Sequence, residues 1–263
     1  MTDVPPTDPD LLDFAVDVVQ EAGKLTLQWF GDAALSVERK GDGTPVTAAD
    51  RAAERLVRER IGDRFPDDGI LGEEEAETLG TSGRRWIVDP IDGTKAFTRA
   101  VPLYSSLLAL DDEHGPAIGV IGLPATGQVV YAGRGLGCFA DGRPAHVSDR
   151  TRLSGAYLSS SGFSHWTEDA LLGVKRAGCQ LRTWGDGYGY AMVATGRVDL
   201  MVDPVVATYD VAAMPVIMAE AGGRFSSFDG RPGADGGSGL ASNGLLHEEA
   251  LALLSDAIPS AGE

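Results

Sequence analysis

The sequence predicts a mixed α+β / α/β fold with helices and strands in layers, and three observations carry that prediction. Two segments with a helical apolar period come first, within residues 10–63. Short apolar strands with hairpin punctuation follow, through Ala140. Beyond Arg150 strands and helices alternate. The chain therefore divides into an N-terminal α+β part, residues 1–150, and a C-terminal α/β part, residues 151–263.

From Asp10 to Phe30, Leu11, Ala15, Val18, Val19, Ala22, Leu25 and Trp29 recur at helical spacing, which gives one face to bury. Leu35 to Arg39 reads as a strand and Lys40 to Pro45 as a loop. Thr47 opens a second helix that runs to about Asp63, with Ala49, Ala53, Leu56, Val57 and Ile61 inside. Thr47 suits its N-cap, and Asp50, three residues on, suits the capping-box position. Ile70-Leu71-Gly72 is a short strand that ends in consecutive acids, Glu73, Glu74 and Glu75. After the turn at Asp92 and Gly93, the segments Tyr104–Leu110, Ala117–Leu123, Gln128–Ala132 and Gly137–Ala140 read as an antiparallel meander.

In the second part, strands are expected at Ala156–Ser160, Gln180–Thr183, Val198–Val202, Arg224–Phe228 and Leu240–Ser242. Helices are expected at Glu168–Arg176, Tyr188–Thr195, Asp210–Ala221 and His247–Ala257, with Gly222-Gly223 as a stop signal. Met1 to Pro9 and Pro259 to Glu263 read as frayed tails. The N-terminal stretch lacks the basic region and apolar core of a signal peptide, and no run is long and apolar enough to span a bilayer.

A formal charge of −17 argues against nucleic acid and anionic membrane as partners. It leaves room for a phosphorylated small molecule, because a bound divalent cation inverts the local field. The two cysteines, Cys138 and Cys179, lack metal-ligand spacing and read as small buried residues in a reducing, cytoplasmic setting.

The chemistry concentrates in Trp86-Ile87-Val88-Asp89-Pro90-Ile91-Asp92-Gly93-Thr94. Strand-forming residues deliver Asp89 to the point where Pro90 ends regular pairing, and Asp92 follows inside the turn. Two acids this close repel, so a fold that holds them together needs a cation or a raised pKa. The backbone N–H groups of Gly93 and Thr94 suit an anion such as phosphate. Asp-Pro and Asp-Gly are also ordinary turn dipeptides, and Asp210 also suits a helix N-terminus. What distinguishes Glu73, Glu74, Asp89, Asp92 and Asp210 is their joint position at element ends in three separate segments. A set of oxygen ligands without histidine or thiolate suits Mg²⁺, with Mn²⁺ as a substitute.

The stretch 86–94 resembles the signature of the inositol monophosphatase superfamily, and Tyr209-Asp210-Val211-Ala212-Ala213 resembles its second motif. Leu71-Gly-Glu-Glu74, Thr44-Pro-Val-Thr-x-x-Asp50 and Ser242-Asn-Gly244 match in the same order, so the resemblance covers essentially the whole chain. Lys95 after Asp-Gly-Thr, Trp184-Gly-Asp186 and Asn243-Gly-Leu-Leu-His247 are most similar to the bacterial histidinol-phosphatase branch. Ala96, Tyr209 and Met214 depart from the family's usual asparagine, tryptophan and glycine, and none is a metal ligand.

The resemblance implies a layered αβαβα sandwich of the inositol monophosphatase / fructose-1,6-bisphosphatase type, active on a small phosphate ester: L-histidinol phosphate by the branch cues, with inositol 1-phosphate or another small sugar or nucleotide phosphate as the alternative. It implies two or three Mg²⁺ ions, held by Glu73, Asp89, the Ile91 carbonyl, Asp92 and Asp210, with the Thr94 hydroxyl beside the first. By the same resemblance Gly93 and Thr94 bind phosphate, Asp50 and Thr94 orient the attacking water, and Glu74 supports from behind. Asp203 and Asp186, with Lys95, are the substrate-selecting candidates, and a lithium-sensitive homodimer is the implied assembly. Two other readings stand beside this one. The aspartate-nucleophile phosphatases place one residue between their two acids, whereas two separate Asp89 from Asp92. A sensor that binds metal or phosphate without turnover would not need the water-orienting pair.

Overall fold

The computed structural model describes residues 4–33, 35–39, 41 and 45–254. Thr44, the C-terminal tail and the last residues expected in the closing helix lie outside the described residues. Helix α1 (Pro9–Thr26) begins at an Asp8 cap, with Pro9 where a missing N–H costs no helical bond. It ends at Thr26, short of Phe30. Trp29 and Phe30 turn away to pack on Ile91, Phe97 and Tyr104 beneath the acid-rich stretch. The segment before α1 is anchored and not frayed from Pro5 onward: Thr7 donates to the carbonyls of Arg134 and Ala117, and Arg134 Nε donates to the Pro5 carbonyl.

Strands β1 (Val37–Arg39) and β2 (Pro45–Thr47) pair antiparallel, so the end of the expected loop is a strand. The strand expected at Leu35–Arg39 is present as β1, whereas β2, three residues that begin with a proline, carries too little alternation to announce itself. Helix α2 (Ala48–Arg64) starts with the expected capping box. β3 (Gly69–Gly72) and β4 (Arg85–Asp92) follow, then the single turn α3 (Thr94–Phe97). β5 (Ser105–Asp112), β6 (Gly115–Leu123), β7 (Gln128–Gly133), β8 (Gly137–Ala140) and β9 (Arg143–Pro144) complete a seven-stranded sheet in sequence order. Its β4 to β9 neighbours are antiparallel as expected, whereas β3 runs parallel to β4.

The second half gives β10 (Tyr157–Ser159), α4 (Glu168–Arg176), β11 (Gln180–Arg182), α5 (Asp186–Ala194) and β12 (Leu200–Asp203). α6 (Thr208–Val211), α7 (Met214–Glu220), β13 (Arg224–Ser226), β14 (Gly239–Ser242) and α8 (His247–Leu254) close it. The single helix expected over Asp210–Ala221 is two. Pro215 cannot donate to the carbonyl four residues earlier and its ring crowds that turn, so the chain breaks after Val211 and restarts. The five strands form a mixed sheet in the order β11-β10-β12-β14-β13.

Alternation along β4 explains the layering. Trp86 and Val88 face α1 and α2, packing with Ala15, Val18, Val57 and Ile61. Ile87 faces the other way, onto a core with Tyr190 and Val193 of α5, Met214 and Ile217 of α7, and Phe225 and Ala241 of the second sheet. That sheet's far face, Leu158, Leu200 and Leu240, lies under Val174 of α4 and Ala250 of α8. The result is an αβαβα sandwich in which α5 to α7 are a filling shared by both sheets. No helix among the described residues is long and apolar enough to cross a membrane.

Candidate active site and metal centre

On a regular strand, residues three apart point to opposite faces, so Asp89 and Asp92 would diverge. In β4 they do not. Asp89 pairs with Leu107 and Asp92 with Ser105, so three steps on β4 oppose two on β5, and the register shifts between them. This bulge turns both carboxylates to the sheet end where α6 begins, and β4 continues through Pro90 instead of stopping there. Asp210 sits on α6 and caps it, its Oδ2 accepting the N–H of Ala207 at 2.8 Å. Oxygens of Asp89, Asp92 and Asp210 all lie within 4.8 Å of one another.

These three acids open onto a cavity of about 570 Å³. Glu73, Ile91, Gly93, Thr94 and Lys95 line it from the first sheet, and Asp186 and Asp203 line it from the second half. Thr94 Oγ1 donates to the Ile91 carbonyl at 3.1 Å, and the N–H of Ile91 donates to Asp89 Oδ1 at 3.1 Å, which closes a tight turn around the signature. Ser105 Oγ donates to Asp92 Oδ2 at 2.6 Å, and the N–H of Gly187 donates to the same oxygen.

Asp50 and Glu74 stand behind this wall. Asp50 Oδ2 accepts from the N–H of Thr47 at 2.8 Å and from its hydroxyl at 2.6 Å, whereas Asp50 Oδ1 is buried with no hydrogen-bond partner. Helix capping therefore occupies only one of its oxygens. The N–H of Glu74 donates to Glu54 Oε2.

The electrostatics are one-sided. Burial pushes the Asp89 carboxyl well above the usual carboxylate range, and the charges of Glu73, Asp92 and Asp210 push it further. Asp92 is likewise raised by burial, then by Asp186 and Asp210. Burial lifts Asp210 to about 6 against the hydrogen bond from Ala207, with Glu73, Asp203 and Asp186 adding to the rise. Asp50 is raised chiefly by burial. A set of buried, mutually repelling carboxylates with an unsatisfied oxygen beside it fits a divalent cation, which removes both penalties.

On the opposite wall Asp203 is thoroughly engaged. It accepts from Ser160 Oγ, from the N–H and hydroxyl of Ser161, and from Tyr190 OH. Ser161 Oγ in turn accepts the N–H of Asp186 at 2.8 Å, holding Asp186 at a φ of 55°, a region that non-glycine residues rarely occupy. The Asp186 carboxyl is lifted to about 6 by burial and by Asp203, and is drawn back by Ser161 and Lys95. Sequence reasoning missed Ser105, Ser161 and Tyr190, as well as Arg99, which lines the cavity one helical turn after Lys95. Paired serines flanking apolar strands, at Ser105-Ser106 and Ser160-Ser161, were the available signal. Both free cysteines are buried, as expected.

The model of the inositol monophosphatase family matches residues 8–259. The histidinol-phosphatase of Mycobacterium tuberculosis is 43% identical over 254 residues, covering 93% of this chain and 98% of that protein. The histidinol-phosphatase of Chlorobaculum parvum is 43% identical over 242 residues, covering 89% of this chain and 92% of that protein. Among solved structures, an inositol monophosphatase from Thermotoga maritima superposes with a TM-score of 0.86 at 31% identity, covering 94% of this chain and 97% of its own. The shared fold, the acidic cluster and the match along the chain lead to one conclusion: this chain belongs to the inositol monophosphatase family, metal-dependent phosphatases that act on small phosphate esters.

Proposed function

We propose that the protein hydrolyses L-histidinol phosphate to L-histidinol and inorganic phosphate, with Mg²⁺ as its ion and Mn²⁺ as a substitute. The observation that carries this reading is the convergence of Asp89, Asp92 and Asp210 within 4.8 Å, in a cavity whose far side presents Asp186. The resemblance to two histidinol-phosphatases supports the choice of substrate.

In this reading Glu73, Asp89 and the Ile91 carbonyl would hold a first ion, Asp89, Asp92 and Asp210 a second, and Glu73 would take part in a weaker third. When bound, such ions polarise phosphoryl oxygens and acidify water. The chain's own residues do the rest. Backbone N–H groups of Gly93 and Thr94 bind the phosphate, and Asp50 with the Thr94 hydroxyl orients the attacking water and holds its proton. Glu74 supports the acid turn from behind.

Recognition of the alcohol falls to the second half. Asp186, beside Lys95, offers a carboxylate to the amino group of histidinol, and Asp203 supports it through Ser161. Residues 1–150 then serve as the metal-holding part, and residues 151–263 as the part that selects substrate and supplies Asp210. The proposal extends to a cytoplasmic homodimer, which sedimentation of the purified protein checks.

The decisive experiment is a side-by-side measurement of Mg²⁺-dependent phosphate release from histidinol phosphate and from inositol 1-phosphate. A kcat/KM at least about tenfold higher for histidinol phosphate, equal to about 1.4 kcal/mol of discrimination, is expected. A ratio of one or below overturns the substrate assignment.

A further inference from the structure

Helix α2 carries two acids one turn apart, Asp50 and Glu54, and both are fully buried. Asp50 stands behind the cavity wall, at the α2 cap. Glu54 faces the turn that follows β3. Its Oε2 accepts the N–H of Glu74 at 2.8 Å, and its Oε1 accepts the N–H of Glu75 at 3.1 Å. Arg58, one turn further along α2, donates from Nε to Glu54 Oε1 at 2.8 Å and from Nη2 to the Glu75 carbonyl at 3.1 Å. Gly72 approaches so closely that a Cβ there would run into the Glu54 carboxylate.

A buried acid on a packed helix face is costly, and an apolar residue would secure α2 against the sheet equally well. An apolar residue would, however, leave the amides of Glu74 and Glu75 without these acceptors. The chain thus spends a buried carboxylate and its arginine on holding one turn. Glu73 leaves β3 at the start of that turn, and its charge falls on Asp89 in the cavity.

We propose that Glu54 is the positioning residue of the metal centre: by gathering the amides of Glu74 and Glu75 onto one carboxylate, it aims the Glu73 side chain at Asp89. The inference rests on the reading of Glu73 as a metal ligand. It adds a residue that touches neither ion nor substrate and a direction of cause, from α2 through the turn to the site.

The test is Mn²⁺ binding to the purified full-length protein, followed through the paramagnetic resonance signal of free Mn²⁺, for the wild type, Glu54→Gln and Arg58→Gln. In Glu54→Gln an amide NH₂ replaces one of the two acceptor oxygens, so one backbone N–H faces a donor. Mn²⁺ affinity is expected to fall about tenfold to a hundredfold, the range found when outer partners of metal ligands are removed. Turnover at low Mg²⁺ should fall with it and recover at high Mg²⁺, with KM for substrate unchanged. Arg58→Gln keeps both acceptor oxygens, and it decides the matter if Glu54→Gln does not fold, because a loosened carboxylate should still weaken Mn²⁺ binding. A folded variant with a lowered Tm but wild-type Mn²⁺ affinity overturns the inference and leaves Glu54 a purely structural residue. Wild-type protein that binds no Mn²⁺ would instead overturn the metal-centre reading itself, so the two failures are distinguishable.

Discussion

The N–H of Gly187 donates to Oδ2 of Asp92, joining the first turn of α5 to a carboxylate of the metal cluster across 95 positions of sequence. A Cβ at residue 187 would meet Ser105 Oγ, Asp92 Oδ2 and the Leu107 side chain together. Gly187→Ala is therefore expected to push Asp92 out of register with Asp89 and Asp210. Activity at fixed Mg²⁺ should drop by about a hundredfold, or about 2.7 kcal/mol, while far-ultraviolet circular dichroism stays unchanged. Wild-type kinetics would show that the contact has no bearing on the site.

Asp89→Asn and Asp210→Asn each delete a charge with little change in volume. Turnover should fall by about a thousandfold, or about 4 kcal/mol of transition-state stabilisation. In chelator the same variants should melt above the wild type, because each relieves repulsion among the buried acids. Adding Mg²⁺ should reverse that order. An ion at 100 times its Kd contributes about 2.7 kcal/mol to the wild type, and thermal melts with and without Mg²⁺ read both effects.

Asp186→Asn tests the far wall. KM for histidinol phosphate should rise about tenfold, matching about 1.4 kcal/mol for one charge-assisted hydrogen bond. Hydrolysis of a phosphate ester without an amino group should change little. Equal losses on both esters would assign Asp186 a role in holding the site and not in choosing the substrate.

His247 gives a pH test away from the site. Its ring lies between Ser226 Oγ at Nε2 and Ser242 Oγ at Nδ1, fully buried. Burial, helped by the charge of Arg224 and opposed by Glu248, lowers its pKa to about 4. The unfolded chain takes up this proton near pH 6.5, the folded one only near pH 4, so the residue's contribution to stability is intact above 6.5 and declines as pH falls toward 4. The fall in Tm between pH 7 and pH 5 should be smaller for His247→Gln than for the wild type. An identical fall in both would remove His247 from the acid response.

The layers and most of their elements were legible because burial on one face imprints a period on the sequence. Ala15, Val18 and Ala22 in α1 are such an imprint, whereas the unbroken apolar run Trp86, Ile87 and Val88 marks a strand buried on both faces. Each acid of the cluster was also legible, since each follows a short apolar run or opens a helix, although Asp89 proves to lie inside β4 and not at its end. Their convergence came only through the family resemblance and could not be read from the residues themselves. It depends on a register shift opposite Leu107 and Ser105, a pairing property that neither strand carries alone. The α6–α7 break was written in Pro215 but masked by the apolar run around it. Ser161 and Tyr190 matter through Asp203, 42 and 13 residues away, and Ser161 also through Asp186, so no local pattern marks them.

Asp210 rides on a helix of the shared filling, whereas Asp89 and Asp92 belong to the first sheet. A ribosome emits the first sheet well before α6, so the early polypeptide collapses without its full complement of crowded negative charge. The electrostatic load arrives late in maturation, when the last layers dock. Divalent ions thus bear on the closing stage of assembly, when Asp210 joins Asp89 and Asp92.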